Sequence, residues 1–368
     1  MNTNARPVYV VVKALCFFVV IDVVYGLVMP PVADVSVYNF VVPGLARMPF
    51  GVGNDSYTVT MDDVDTMFAS HEISAEKMPD EIRVALIGDS TVRGDSLPPG
   101  DTLAGQLNRL GLQCGDKKVK AYNLGYPHPS IVKDLIFFEE TMERQPDAII
   151  WFVTLNTLMN QYRLNPFLTA NRVRAVQMMD TYDIPIGFRK SLSEQETGFY
   201  EKTLVGQRSY LARWLKLQAL GLVWSATGDD IHSSVNYVEM VPRDVKKAND
   251  YRGLEPGTDL RGSLLLGAFA AGYDLAGETP VLLVNEPIFV ADGMNSESRY
   301  NNLYPRWAYQ QYRELLSDEV NNLPWSYLDS WDAIPPEYFT DSPLHLSAEG
   351  ERLFAEQINP TLLSMVCP

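Results

Sequence analysis

Arg83-Val-Ala-Leu-Ile-Gly-Asp-Ser-Thr91 is the stretch whose reading decides the fold. Its apolar run shows no alternation, the pattern of a strand buried on both faces of a parallel sheet. The run stops abruptly at Gly88-Asp89-Ser90, three residues that favour turns. Handing such a strand to a helix sets one hydroxyl at the carboxyl edge of the sheet, where open α/β folds keep their sites. Ser90 is therefore the candidate nucleophile, with Gly88 and Asp89 as its supporting turn; an ordinary turn is the competing reading.

The chain downstream repeats the pattern. Leu103, Leu107 and Leu110 suit a short helix, and Val119-Lys-Ala-Tyr-Asn-Leu124 is a strand entering Gly125-Tyr-Pro-His-Pro129. Residues 131–145 are helical by period, with Ile131, Leu135, Phe138 and Met142 on one face. Ala148-Ile-Ile-Trp-Phe-Val153 is a third, wholly apolar strand. Three strands alternating with two helices imply right-handed βαβ units. From 157 to 278 the strand signal fades into a mainly helical insertion, with helices expected near 200–222 and 260–275. The segment 211–220 is apolar and basic; a buried amphipathic helix is its commoner reading and a membrane-surface helix the other. Strands resume at 280–285 and 325–329, and a closing helix follows Ser347, which can cap it.

At 368 residues the chain can bury a large core. Its 46 acidic and 30 basic residues give a formal charge of −16 without a basic cluster, which argues against nucleic acid as a partner. Cys16, Cys114 and Cys367 lie far apart without CxxC spacing, so neither zinc nor a disulfide framework follows, and a single Cys114–Cys367 bridge stays open.

Residues 8–29 read VYVVVKALCFFVVIDVVYGLVM, long enough as a helix to cross a hydrocarbon core of roughly 30 Å. Fourteen Val, Leu, Ile and Phe residues favour insertion by about 4 to 8 kcal/mol, against about 3 kcal/mol for a central Asp22; Lys13 can snorkel. A membrane anchor over residues 1–30 is expected, a cleaved signal peptide and a buried helix of a soluble domain being the alternatives. Arg6 and Lys13 favour a cytoplasmic amino terminus, which makes the chain a single-pass cell-membrane protein with its carboxyl-terminal domain extracytoplasmic. Asp22 inside a span wants a partner, and a neighbouring membrane protein would supply one. Residues 31–80, rich in Pro, Gly, Asn and Asp, read as a stalk packing on a domain that occupies 81–368.

A serine hydroxyl needs a base within hydrogen-bond reach. Of the four histidines, His345 stands out in Phe339-Thr-Asp-Ser-Pro-Leu-His-Leu-Ser-Ala-Glu-Gly350, between the last strand and the closing helix. Asp341 lies one turn upstream, close enough to fix its tautomer. Oxyanion donors are expected from the Asn156 amide and from backbone N–H groups of Ser90 and the Gly125 to His128 turn. Asp229, Asp230 and His232 are a weaker, metal-hydrolase alternative, and neither metal nor cofactor is expected.

Gly88-Asp89-Ser90, Asn123-Leu-Gly125, Asn156 and the Asp341 to His345 segment, in this order, resemble the four blocks of the SGNH (GDSL-type) hydrolase superfamily. The resemblance covers 82–156 and 279–366 and implies a three-layer, flavodoxin-like α/β fold with a five-stranded parallel sheet of order 2-1-3-4-5. An amino-terminal anchor with an exported domain is similar to the acyl-transfer proteins of alginate acetylation and lipoteichoic-acid D-alanylation, which work beside a membrane-bound O-acyltransferase. The implied activity is a serine esterase or O-acyltransferase on an acyl ester of a cell-envelope glycan or polymer; the alternative is a non-catalytic glycan-binding or assembly module. Departures from the family pattern are Ser342 where its acid usually stands, Thr157 where an aspartate commonly follows Asn156, and His128 where an oxyanion-hole glycine is usual.

Overall fold

The computed structural model describes residues 7–51, 56–95, 97–160, 164–194, 197–228, 230 and 241–367. Helix α1 (Pro7–Val28) is followed by α2 (Val64–Ser70), β1 (Glu81–Gly88), α3 (Ser90–Arg93), α4 (Leu103–Arg109), β2 (Gln113–Cys114), β3 (Lys117–Gly125), α5 (Ile131–Met142), β4 (Ala148–Val153) and α6 (Leu155–Leu158). The insertion carries α7 (Pro166–Ala170), α8 (Arg172–Thr181), α9 (Arg189–Ser193), α10 (Phe199–Lys202), α11 (Leu204–Thr227) and α12 (Ala268–Ala276). The chain closes with β5 (Val281–Asn285), α13 (Arg306–Val320), β6 (Ser326–Asp329) and α14 (Ala348–Val366), whose first turn is capped by the Ser347 side chain.

Among the described residues the strands form one sheet of order β2-β3-β1-β4-β5-β6. The five longer strands are parallel and, counted among themselves, follow the expected 2-1-3-4-5. The sixth is a correction: β2 is a two-residue antiparallel edge strand on β3, too short to show a period in sequence. Successive β1 side chains serve opposite faces, as a strand requires. Ala85 and Ile87 join the core that holds Trp151, Phe137 and Phe138, whereas Val84 and Leu86 join the one that holds Phe152, Phe354 and Ile358. Helices α5 and α12 pack together, as do α4 and α14, completing an α/β/α sandwich. The chain moves outward from β1 to β3 and then returns to β4 on the other side, so the switch point of the sheet lies at the carboxyl end of β1.

Three segments depart from simple periodicity. Leu45, Met48, Met61, Met67, Phe68 and Ile73, from the stretch read as a stalk, are buried in the core, and Asp63 caps α2 by accepting the Thr66 N–H at 3.1 Å. The expected helix at 260–275 is broken, with a single turn at Arg261–Ser263 and α12 starting only at Ala268, because the Leu265 N–H donates to the Leu158 carbonyl at 2.8 Å instead of to its own helix. Helix α1 is exposed along nearly its whole length, as an apolar helix with mean hydropathy 2.3. Asp22 finds its partner within the chain: its Oδ1 accepts the Val205 N–H at 2.8 Å, at the start of α11. Cys114 on β2 and Cys367 after α14 form the disulfide, with Cα atoms 5.5 Å apart.

Candidate active site

The turn after β1 is shaped by close packing. A Cβ on Gly88 would meet Val92 Cγ2 at 2.4 Å and Phe152 Cβ at 3.1 Å, so only glycine lets the strand end this near its neighbours. Asp89 then caps α3, its Oδ1 accepting the Thr91 N–H at 2.9 Å, and Ser90 is the first residue of that helix. Asn123 on β3 holds the far end of the same helix by donating from Nδ2 to the Val92 carbonyl at 2.8 Å. Arg47 braces it as well, donating to the Gly94 carbonyl at 2.9 Å and pairing with Asp230.

His345 arrives on a short loop closed by the Phe339–Leu346 bridge, by Thr340 N–H donating to the His345 carbonyl at 2.9 Å and by His345 N–H donating to Ser342 at 3.3 Å. Its Nε2 lies 3.0 Å from Ser90 Oγ, and its Nδ1 lies 3.1 Å from Asp341 Oδ1. Residues 255 positions apart in sequence are thus in hydrogen-bond contact. A hydroxyl against an imidazole whose other nitrogen meets a carboxylate is able to generate an oxygen nucleophile at neutral pH. Burial disfavours the His345 imidazolium, but the Asp341 hydrogen bond and the charges of Asp95, Asp341 and Asp89 outweigh it, so the pKa is raised. Asp341 is held below the usual carboxylate range, chiefly by that hydrogen bond. The Asp341 side chain is 59% exposed, which leaves its charge partly screened by water. Asp329 is engaged elsewhere, accepting from Arg313 at 2.6 Å and from Asn285 at 2.8 Å.

The expected oxyanion donors divide. Asn156 lies in α6, just past the end of β4, and its Oδ1 accepts from Tyr251 Oη at 2.9 Å and from Arg252 Nη2 at 3.1 Å. With the carbonyl oxygen fixed from that side, the Asn156 Nδ2 donor is left without a protein partner among the described residues. The Ser90 N–H, in the first turn of α3, likewise has none. Gly125 differs from expectation. Its N–H donates to Asn123 Oδ1 at 3.0 Å, so this donor is occupied, and a Cβ there would lie 2.1 Å from the Arg93 nitrogen. Gly125 is a packing position, where β3 passes α3 closely. His128 adopts a φ of 77°, a conformation natural to glycine, and its exposed ring stands edge-on to Phe50 with centroids 6.5 Å apart. Although His128 is exposed as a whole, partial desolvation of its ring and the charge of Lys133 push its pKa down.

Several supports had no signature in the sequence. Lys133, wholly buried on α5, donates to the Gly88 carbonyl at 2.6 Å and the Tyr126 carbonyl at 3.0 Å and pairs with Asp134 at 2.9 Å. A lone lysine at the start of an apolar helix was its only visible trace. Glu286, just past β5, is buried near Asp89, and burial with that neighbour pushes its pKa well above the ordinary value. Tyr251 and Arg252 come from the irregular part of the insertion, where nothing in the local sequence marks them. Of the other histidines, His71 is buried with Nε2 on the Asn123 carbonyl at 3.0 Å, and burial lowers its pKa to about 3, so it is a neutral structural residue. Asp229 and His232 lie outside the described residues, and Asp230 is the partner of Arg47.

No family model and no curated protein matches the chain. Solved structures do. A carbohydrate acetylesterase family member from Sinorhizobium meliloti is 13% identical, with 77% of this chain and 98% of that one covered at a TM-score of 0.35. A member of the lipolytic protein G-D-S-L family from Veillonella parvula is 10% identical, with 76% and 96% covered at 0.34. The lipase/acylhydrolase from Enterococcus faecalis is 14% identical, with 76% and 96% covered at 0.35. Likenesses of this degree carry no weight for the site, whose chemistry follows from its own geometry.

Proposed function

We propose that the protein is an SGNH-type serine esterase or O-acyltransferase, tethered to a membrane through α1 with its domain outside the cytoplasm, acting on an acyl ester of a cell-envelope glycan or polymer. The observation that carries this reading is the continuous contact Ser90 Oγ, His345 Nε2, His345 Nδ1, Asp341 Oδ1 at 3.0 and 3.1 Å.

In this reading Ser90 Oγ attacks the ester carbonyl carbon while its proton passes to His345 Nε2, and Asp341 stabilises the imidazolium that forms. The tetrahedral oxyanion is held by Asn156 Nδ2 and the Ser90 and His128 N–H groups. Collapse expels the alcohol, which takes the proton from His345 and leaves an acyl group on Ser90. Water then gives hydrolysis, and a sugar hydroxyl gives transfer. The Cys114–Cys367 disulfide supports an oxidising compartment, and the apolar, exposed α1 supports the tether.

The test is release of p-nitrophenol from p-nitrophenyl acetate by the full chain, beside Ser90→Ala and His345→Ala. Loss of about 10²-fold or more in each variant is expected, since a positioned base alone contributes roughly 10²–10⁴-fold. Equal rates in all three proteins would overturn the ester-acting reading for short acyl groups. Added trehalose as an acceptor separates the two outcomes: acetylated sugar marks transfer, and acetate alone marks hydrolysis.

A further inference from the structure

The insertion touches the anchor, and it does so below the anchor's end. Asp22 accepts from the start of α11, Tyr25 Oη donates to Gln207 at 3.2 Å, and Gly26 is buried where a Cβ would lie 3.2 Å from both Phe199 and Thr203. These contacts fall in the last two turns of α1, a helix of 22 residues and therefore about 33 Å long, close to the roughly 30 Å of hydrocarbon it would cross. Asp22 precedes Val28 by six positions, which puts it about 9 Å inside the end of the helix. Gly26 precedes Val28 by two positions, about 3 Å inside, so what packs on Asp22 and Gly26 covers depths of about 3 to 9 Å.

What packs there has the composition of a membrane interface. Phe199 and Tyr200 on α10 are 47% and 58% exposed although they adjoin the most apolar helix of the chain. Beside them stand Lys202 and Arg208, and Arg208 donates to Tyr200 Oη at 3.4 Å. Aromatic rings with a polar tip and long basic side chains are the residues that settle at the boundary of headgroups and acyl chains. Farther on, α11 leaves α1 and packs along the segment that follows it, with Tyr38 Oη donating to the Leu217 carbonyl at 2.9 Å.

We infer that the α10–α11 corner is a second membrane contact, an interfacial wedge seated in the leaflet from which the domain projects, with lipid as its occupant. The inference rests on reading α1 as a membrane span. It explains why Asp22 is tolerated in that span, since its carboxylate sits on the positive end of α11 at the interface. It also makes the tether a fixed mount, holding the catalytic domain at one height and tilt.

The test uses the full chain reconstituted in vesicles of phosphatidylethanolamine and phosphatidylglycerol, with a nitroxide on one cysteine at a time. Native Cys16 reports on α1; Tyr200→Cys, in a Cys16→Ser background, reports on the wedge; Glu278→Cys is the water reference. Collisions with oxygen should exceed those with a water-soluble nickel chelate strongly at Cys16 and moderately at Tyr200→Cys, with the reverse at Glu278→Cys. Arg208→Cys reads the same corner if Tyr200→Cys does not fold. A water-like label at the corner with a deep Cys16 overturns the wedge and leaves the anchor standing. A water-like Cys16 overturns the anchor and the wedge together. Exclusion of both reagents at the corner means that protein, a second copy of the chain, covers it, and lipid is then the wrong occupant.

Discussion

Lys133 Nζ donates to the Gly88 carbonyl at 2.6 Å, beneath the turn that presents Ser90. The same ammonium donates to the Tyr126 carbonyl, so one buried charge ties the ends of β1 and β3 together at the switch point of the sheet.

Replacing Lys133 by Met is expected to lower the unfolding free energy by about 3–5 kcal/mol, because it leaves Asp134 as an uncompensated buried acid. Adding Asp134→Asn should restore part of that loss in urea melts. Where the single variant stays folded, kcat should fall with KM little changed, since Lys133 positions the turn without meeting the substrate.

His345 acts as a base only when neutral, and its pKa is raised. The acid limb of kcat/KM should therefore lie above the ordinary imidazole value of about 6.5. Asp341→Asn removes the hydrogen bond that raises it and should move the limb to lower pH. With Asp341 partly exposed, the plateau should drop by less than the roughly 10⁴-fold seen where such an acid is buried. Stability has the opposite sign: the His345 contribution is complete below about pH 6.5 and disappears as pH rises through the folded value. A limb that does not move in Asp341→Asn would assign the orienting role to another group.

Asn156→Ala should cost about 10²–10³-fold in kcat, the range for loss of one oxyanion donor. Tyr251→Phe leaves the amide in place but frees its carbonyl oxygen from one of two anchors, so a smaller drop is expected, confined to kcat. Steady-state kinetics on one aryl ester distinguishes the two. Equal losses would mean that Tyr251 does more than hold the amide.

Replacing Cys114 and Cys367 by Ala opens a loop of 253 residues and should reduce stability by about 2–5 kcal/mol, read as a lower midpoint in urea. The acid limb in His345 should stay where it was, because the bridge lies at the sheet edge away from the imidazole.

Strands β1, β4 and β5 were legible because each is buried on both faces and so reads as a largely apolar run, whereas β3 and β6 are partly exposed and gave a weaker signal. Leu45, Met48 and Met61 were not legible, since they are buried from irregular backbone that follows no period, and α2, at seven residues, is too short to show one. Ser90, His345 and Asp341 could be read from strand ends and spacing alone, and in the fold they make one contact chain. That the Gly125 N–H donates to Asn123 Oδ1 was not legible, because sequence shows which residues stand near a site and not which N–H is already taken. The grip on Asn156 lay beyond reach for another reason: Tyr251 and Arg252 are 95 and 96 positions away, in a stretch without regular structure.

The disulfide has a further consequence, for a severed chain. Ser90 and Cys114 precede the insertion, whereas His345 and Cys367 follow it. A protease that nicks the backbone anywhere within 157–278 therefore releases neither half: nucleophile and base end up on different polypeptides that stay covalently joined through the sulfurs. Reduction removes that covalent link and leaves only the packing of the shared sheet, β4 against β5, between them, so a clipped molecule is held more firmly in an oxidising medium than in a reducing one.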